Sequence, residues 1–500
     1  MVSALKAKYN TVKNIIDKID DFLNPIVVKE IRQSINSSGV MVLTLLILIL
    51  EVSAFLLSFG YGDTEFGTGS VFYAIILAIF VFGYTIGISG VVATRITKEY
   101  ANNDSTDLIY TTTISSYRII SGKLFSAMVL VFYLLSLCLP FFAISYFLKG
   151  IALNTIINIT FFAFFVAVPY ILLVILVSVS PMHKAIKVIV MLGAIAVVAI
   201  FTIWLISYIE RAITFSWESL FCVIYLATVF SGLFYFLTVG LLSHLTANRT
   251  FGLKVFYSLF FIVSYVIVFA GYMFSKMFAL FVKPIDIYHV AMIILMLIVL
   301  FNSFERTEQT KRVLLANPKN IILRFFHYIF SIGMANNTLF LILCFTGINS
   351  LLLCMFKIYP KVQITSDDVY SYKFITTIFF YLFAYQLAAL ILKRNCNKYF
   401  SKASVFSYFA FLNLFFMLGS MVIAFILKNI LKIKAFALID YIFIFSPLIL
   451  WQRTNIDIAF VVSMTLCFIG LCFNLKYFFK CFKEGMKYYR EGAGNGKKSK

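Results

Sequence analysis

Runs of about 18 or more apolar residues recur along this chain, and each is long enough to cross about 30 Å of hydrocarbon as a helix. No soluble domain core needs segments of that length. Composition agrees: 62% of residues are hydrophobic and 13% charged, against about 45–50% and about 25% in globular domains. A soluble enzyme, a secreted disulfide scaffold, a disordered tail and a fibre are excluded. The expected fold class is an all-α polytopic membrane protein with about 12 transmembrane helices, arranged as two diverged six-helix halves.

The twelve spans fall near 39–59, 71–92, 125–147, 153–180, 186–209, 220–243, 255–274, 288–301, 339–355, 375–392, 405–427 and 458–479. Lys and Arg total 42 against 21 acids, a formal charge of +21. That excess lies between the apolar runs, which marks cytoplasmic loops rather than a nucleic-acid surface. With both termini inside, about three-quarters of the basic residues share the cytoplasmic side. Making 435–451 a further crossing exports the basic C-terminus, so this segment, broken at Ser446-Pro447, reads as re-entrant.

Outside the spans, residues 1–38 read as cytoplasmic amphipathic helices. Ile15, Ile19, Phe22 and Ile26 form one stripe. Asn24-Pro25 then starts a second helix over 26–36, with Val27, Ile31 and Ile35 on its apolar side and Lys29, Glu30 and Arg32 toward water. At the other end Lys476, Lys480, Lys483, Lys487 and Arg490 share one helical face, leading into a basic tail over 480–500. They suit anionic lipid headgroups. The first half, 39–243, carries a long inner loop at 93–124. The second, 244–479, carries one at 302–338 in the matching place, as in diverged transporter repeats.

Polar residues within the spans are few. Glu51 stands deep in Leu48-Ile-Leu-Glu-Val-Ser and must face protein or water, as a substrate or coupling group or as a buried helix–helix contact. Gln386 and Asn413 read as interhelical hydrogen-bonding groups. His183, His244, His289 and His327 are scattered at span edges without metal-ligand spacing. Most cysteines lie inside apolar runs, with no CxxC pair. No residues are assigned to metal binding or catalysis.

Asn24-Pro-Ile-Val-Val-Lys-Glu-Ile-Arg-Gln33 resembles the NPxxxKExRQ entry of the permease subunits of ABC-2-type ABC transporters. The stretch 98–123, with Asp107-Leu-Ile and Ile119-Ile-Ser-Gly-Lys-Leu124, is similar to the loop that follows it in that family, and Ser446-Pro447-Leu448 matches near the chain end. Asp107 stands where Glu is usual and Thr113 where Pro is usual. The resemblance implies a transmembrane permease subunit, an exporter, without an ATPase or cofactor of its own. A separate ABC ATPase subunit hydrolyses the ATP. Lys29, Glu30, Arg32, Glu99, Asp107, Thr113 and Lys123 are then the residues expected to couple to it, in the bacterial cytoplasmic (inner) membrane. Other expected partners are membrane lipids and a second permease chain or second copy, and no nucleic acid.

Two other functions fit a chain of this kind. One is an ATP-independent flippase for lipid-linked oligosaccharide, which needs no long inner loop. The other is a membrane glycosyltransferase using a polyprenyl-phosphate sugar, for which Asp63 and Glu65 in the first outer loop are the acids.

Overall fold

The computed structural model describes residues 25–58, 68–101, 115–148, 150–180, 184–210, 217–243, 248–274, 284–303, 317–358, 366–396, 404–425 and 456–487. The described elements are helices, with no strand among them. A short helix α1 (Pro25–Ile35) precedes α2 (Ser38–Ser58). The second span is built from α3 (Thr68–Phe82), a π-helical turn (Gly83–Ile88) and α4 (Ser89–Ala101). Then come α5 (Ser116–Phe147), α6 (Leu153–Val179), α7 (Lys184–Glu210) and α8 (Trp217–Leu242). The second half holds α9 (Phe251–Phe274), α10 (Pro284–Asn302), α11 (Ile321–Phe330), α12 (Met334–Ile358), α13 (Ser366–Cys396), α14 (Val405–Phe425) and α15 (Ile456–Gly485).

Nine described helical stretches are long and apolar enough to cross a membrane, and shorter apolar stretches lie in α9, α10 and α14. Each of the twelve expected spans falls on a helix. The chain is an all-α polytopic membrane protein. The expected re-entrant segment 435–451 and the stripe at Ile15, Ile19 and Phe22 lie outside the described residues.

The expected inner loop 93–124 is much shorter than hydropathy suggests. Helix continues through Arg95, Lys98 and Glu99 to Ala101 and resumes at Ser116. A helix satisfies its own backbone whatever its side chains. Charge therefore marks where a span leaves hydrocarbon, not where the helix stops. In the matching region of the second half, α11 starts on an Asn320 cap that accepts from the Ile322 amide at 3.1 Å. It exposes Ile321, Ile322, Leu323 and Phe326 and buries Tyr328 and Ile329. Lying between the end of one span and the start of another, it has the form of an in-plane surface helix.

The chain divides into two compact units, Met1–Arg249 and Thr250–Lys500. The same packing scheme recurs in each. In the first, the α3–α4 span packs on α5 and α6, α6 on α7 and α8, and α5 on α8. In the second, α10 packs on α12 and α13, α13 on α14 and α15, and α12 on α15. One hydrogen bond repeats as well. The Tyr73 hydroxyl meets the Thr160 hydroxyl at 2.9 Å, 87 residues along, and Tyr288 meets Thr376 at 2.6 Å, 88 residues along. Both pairs join the second span of a unit to its fourth.

Within the first unit α2 turns most of its apolar side chains outward. Met41, Val42, Leu45, Ile49, Val52 and Leu56 are exposed, while Ile47, Glu51 and Ala54 are buried. Lipid supplies no drive to bury leucine, so helices meet where backbones can approach closely. Gly83 lets the Ile47 and Leu134 side chains lie against its backbone: a Cβ there would stand 2.9 Å from Ile47 Cδ1 and 2.9 Å from Leu134 Cδ1.

Candidate functional site

The charged residues flanking the first three spans converge. Helix α1 ends before α2 begins, α4 ends the second span and α5 begins the third, so successive antiparallel crossings bring these ends to one membrane face. On α1 the buried positions are Val27, Glu30 and Ser34, a helical stripe at spacings of three and four. Glu30 therefore does not face water, as the apolar pattern alone suggests, and Ile35, expected on the buried side, is 64% exposed. Ion pairing outweighs side-chain polarity here.

Lys123 is the partner. Its Nζ donates to Glu30 Oε1 at 2.7 Å and to Glu99 Oε2 at 2.6 Å, and the lysine is only 5% exposed. Lys29, on the exposed side of α1, reaches the other Glu99 oxygen at 3.5 Å. Arg95, one turn before Glu99, donates to the Ser34 hydroxyl and to the Gln33 carbonyl at 2.9 Å. Burying a lysine is costly unless its charge is offset and its hydrogens are placed, and two carboxylates from two helices do both. The arrangement fixes α1 against the ends of the second and third spans, on both sides of residues 102–114.

Of the residues expected to couple, Lys29, Glu30, Glu99 and Lys123 thus form one cluster. Arg32 is exposed on the outer side of α1. Asp107 and Thr113 lie outside the described residues, as do Asp63 and Glu65. Arg95 and Ser34 belong to the cluster but were not marked as site residues in the sequence. Their only signal is an arginine one helical turn ahead of a glutamate.

Glu51 is fully buried between helices. The Cys138 thiol stands beside it, and apart from that thiol neither carboxylate oxygen has a polar partner among the described residues. Directly along the bundle, Tyr170 donates at 2.8 Å to the Thr85 carbonyl, which also accepts from Ser89 within the π-helical turn. Tyr170 thereby ties α6 to the π-helical turn.

In the second unit Gln386 is fully buried, with both amide atoms unpartnered among the described residues. Among the described residues the Asn413 amide donates to Phe409 O of its own helix at 2.8 Å, one turn back. Lys254, fully buried, donates to Ile329 O at 2.7 Å and Ser331 O at 3.1 Å. It thereby caps the C-terminal end of α11, where partial negative charge gathers.

Lys476, Lys480, Lys483 and Lys487 are exposed along the end of α15, and Arg490 lies outside the described residues. The α15 terminus is held by Asn317, which donates to Gly485 O at 2.8 Å and Lys487 O at 2.9 Å, and by Arg324, which donates to Met486 O at 2.8 Å. Burial pushes the His327 imidazole, on α11, below its ordinary value.

No protein-family model, curated protein or solved structure matches the chain.

Proposed function

We propose that the chain is the transmembrane permease subunit of an exporter driven by a separate ATPase subunit, and that the cluster around Lys123 is the joint through which that motion enters the membrane. The observation that carries this reading is Lys123 held between Glu30 and Glu99. A surface helix and the ends of two spans, which flank residues 102–114 in the sequence, are thereby tied into one mechanical piece. A chain that works alone has no need to fasten the flanks of such a segment to a separate amphipathic helix. The likeness of Asn24-Pro25 to Gln33, and of Asp107 to Leu124, to ABC-2 permeases supports the same reading.

In this mechanism ATP is bound and hydrolysed by the partner. The partner pushes on 102–114 and on the exposed side of α1, where Lys29 and Arg32 stand. The buried ion pairs make those pushes a displacement of α3–α4 and α5 together. Positive-inside counting puts this face, both termini and the basic end of α15 in the cytoplasm. Lys123 carries the force within this chain and does not touch the partner.

Charge reversal at Asp107 tests the reading. Asp107→Lys, expressed in the native host, is expected to release a bound ATPase at least tenfold while membrane insertion stays at the wild-type level. Equal recovery of an ATPase with variant and wild type removes 102–114 from the docking surface.

A further inference from the structure

Four carboxamides in the second unit are buried without a full set of partners. Asn302 ends α10, Asn336 and Asn337 open α12, and Gln386 lies within α13; each is 0% exposed. Both amide atoms of Asn302, Asn337 and Gln386 and the Oδ1 of Asn336 have no hydrogen-bond partner among the described residues. Asn336 Nδ2 donates to the Ser331 hydroxyl and to Ile332 O.

Helix register brings them to one level. Helices α12 and α13 are antiparallel: Tyr372 donates to Asn349 Oδ1 at 3.0 Å, and Phe345 stacks on Phe379 with centroids 5.3 Å apart. Continued toward the start of α12, that register sets Asn337 opposite Gln386. Helices α10 and α13 are parallel, fixed by Tyr288 against Thr376 and Tyr372. Continued to the end of α10, this sets Asn302 level with Gln386 and Leu390. Gln386 shares the face of Tyr372, Thr376, Phe379 and Phe383, at spacings of three and four. Met334, Tyr385, Ala389 and Leu390 also share one cluster, with Leu300 packed against it.

The first unit closes the same place by itself. Tyr170 stands to Thr160 as Gln386 stands to Thr376, and Tyr170 spends its hydroxyl on the Thr85 carbonyl. Leu300 stands to Tyr288 as Thr85 stands to Tyr73. One unit fills this position with a tyrosine bonded to a carbonyl, and the other places the unpartnered Gln386 there.

We propose that these four carboxamides form an occluded binding site for a neutral, hydroxyl-bearing solute of carbohydrate type. Donors and acceptors are orphaned together. A bound cation would satisfy the oxygens and leave the amide hydrogens unmet; an anion would do the reverse. A hydroxyl both donates and accepts. The Lys254 ammonium, 5.7 Å from the Phe340 ring and bonded at Ser331 O, further disfavours a cation. The site deepens the exporter reading by naming the chemistry of the cargo, and it rests on that reading only for the role of the bound molecule.

The test is ligand binding by the full chain, without any ATPase, in a detergent that carries no sugar headgroup. The probes are methyl glucoside, methyl galactoside and glycerol, with sodium chloride against choline chloride as the ion control. Thermal unfolding is expected to shift upward saturably with at least one glycoside. The shift should be lost in Asn337→Leu and Gln386→Leu, whose midpoints without ligand stay at or above wild type because an orphaned amide has been removed. A shift with sodium alone, no saturable shift with any glycoside, or an equal shift in a folded variant overturns the proposal. If the variants fail to fold, the wild-type titration decides by the same criteria. A negative result here leaves the ATPase drive standing, and loss of the ATPase leaves this site standing.

Discussion

Lys123 shows how a single residue is held by what it would cost to leave it alone. Removing its ammonium strands Glu30, which is 6% exposed, and half-strands Glu99. Breaking a buried pair from one side costs about 3–5 kcal/mol, whereas replacing both partners with apolar groups is often neutral. Lys123→Met is therefore expected to lower unfolding stability in detergent by roughly that amount, and adding Glu30→Leu to restore most of it. A double variant no more stable than Lys123→Met would show that the ion pair does not hold α1. At this scale the sequence was only partly legible. Glu30 and Lys123 are 93 residues apart, and hydrophobic periodicity assigned Glu30 to water because it cannot register a distant ammonium. The amides of Asn302, Asn336 and Asn337 stand at the edges of apolar runs, where a hydropathy reading simply ends a span.

Close approach between elements helps to place them in this protein, since lipid competes for apolar side chains. Gly240, near the end of α8, is the sharpest case. A Cβ there would stand 2.7 Å from the Arg249 carbonyl oxygen, a backbone atom that cannot swing aside. Gly240→Ala is expected to destabilise the first unit by about 1–3 kcal/mol. Gly193→Ala, where a Cβ meets nothing within 4 Å, should instead be neutral or gain up to about 1 kcal/mol of helix propensity. Unfolding midpoints of the two variants make the comparison, and equal effects would deny that the Arg249 carbonyl packs against Gly240 as described. The positions of the spans could be read from sequence because about 20 apolar residues have one physical use in a chain like this. Helix ends could not, because the ladder through Arg95 to Ala101 is indifferent to the charges it carries. Nor could the π turn, whose Thr85 carbonyl depends on Tyr170 from another helix.

Among the described residues one packing scheme recurs in the two units, and the recurrence of Tyr73–Thr160 as Tyr288–Thr376 argues for a repeat more strongly than similarity of sequence between the halves. The repeats have diverged in opposite senses. The first carries the ion cluster and bonds Tyr170 to the Thr85 carbonyl; the second carries the orphaned amides. On the two proposals above, the first unit is the driven one and the second the binding one. Orientation belongs to this scale too: a cysteine added after Lys500 should be reached by a membrane-impermeant maleimide only in inverted vesicles. Labelling in intact cells would instead make 435–451 a crossing. The central proposal, that a separate ATPase drives this chain, is tested most directly by purifying it in mild detergent from its own host and identifying what accompanies it by mass spectrometry. A P-loop ATPase in stoichiometric amount is the expected result; a stable chain that emerges alone, and gains no ATPase when crosslinked in the membrane, contradicts it.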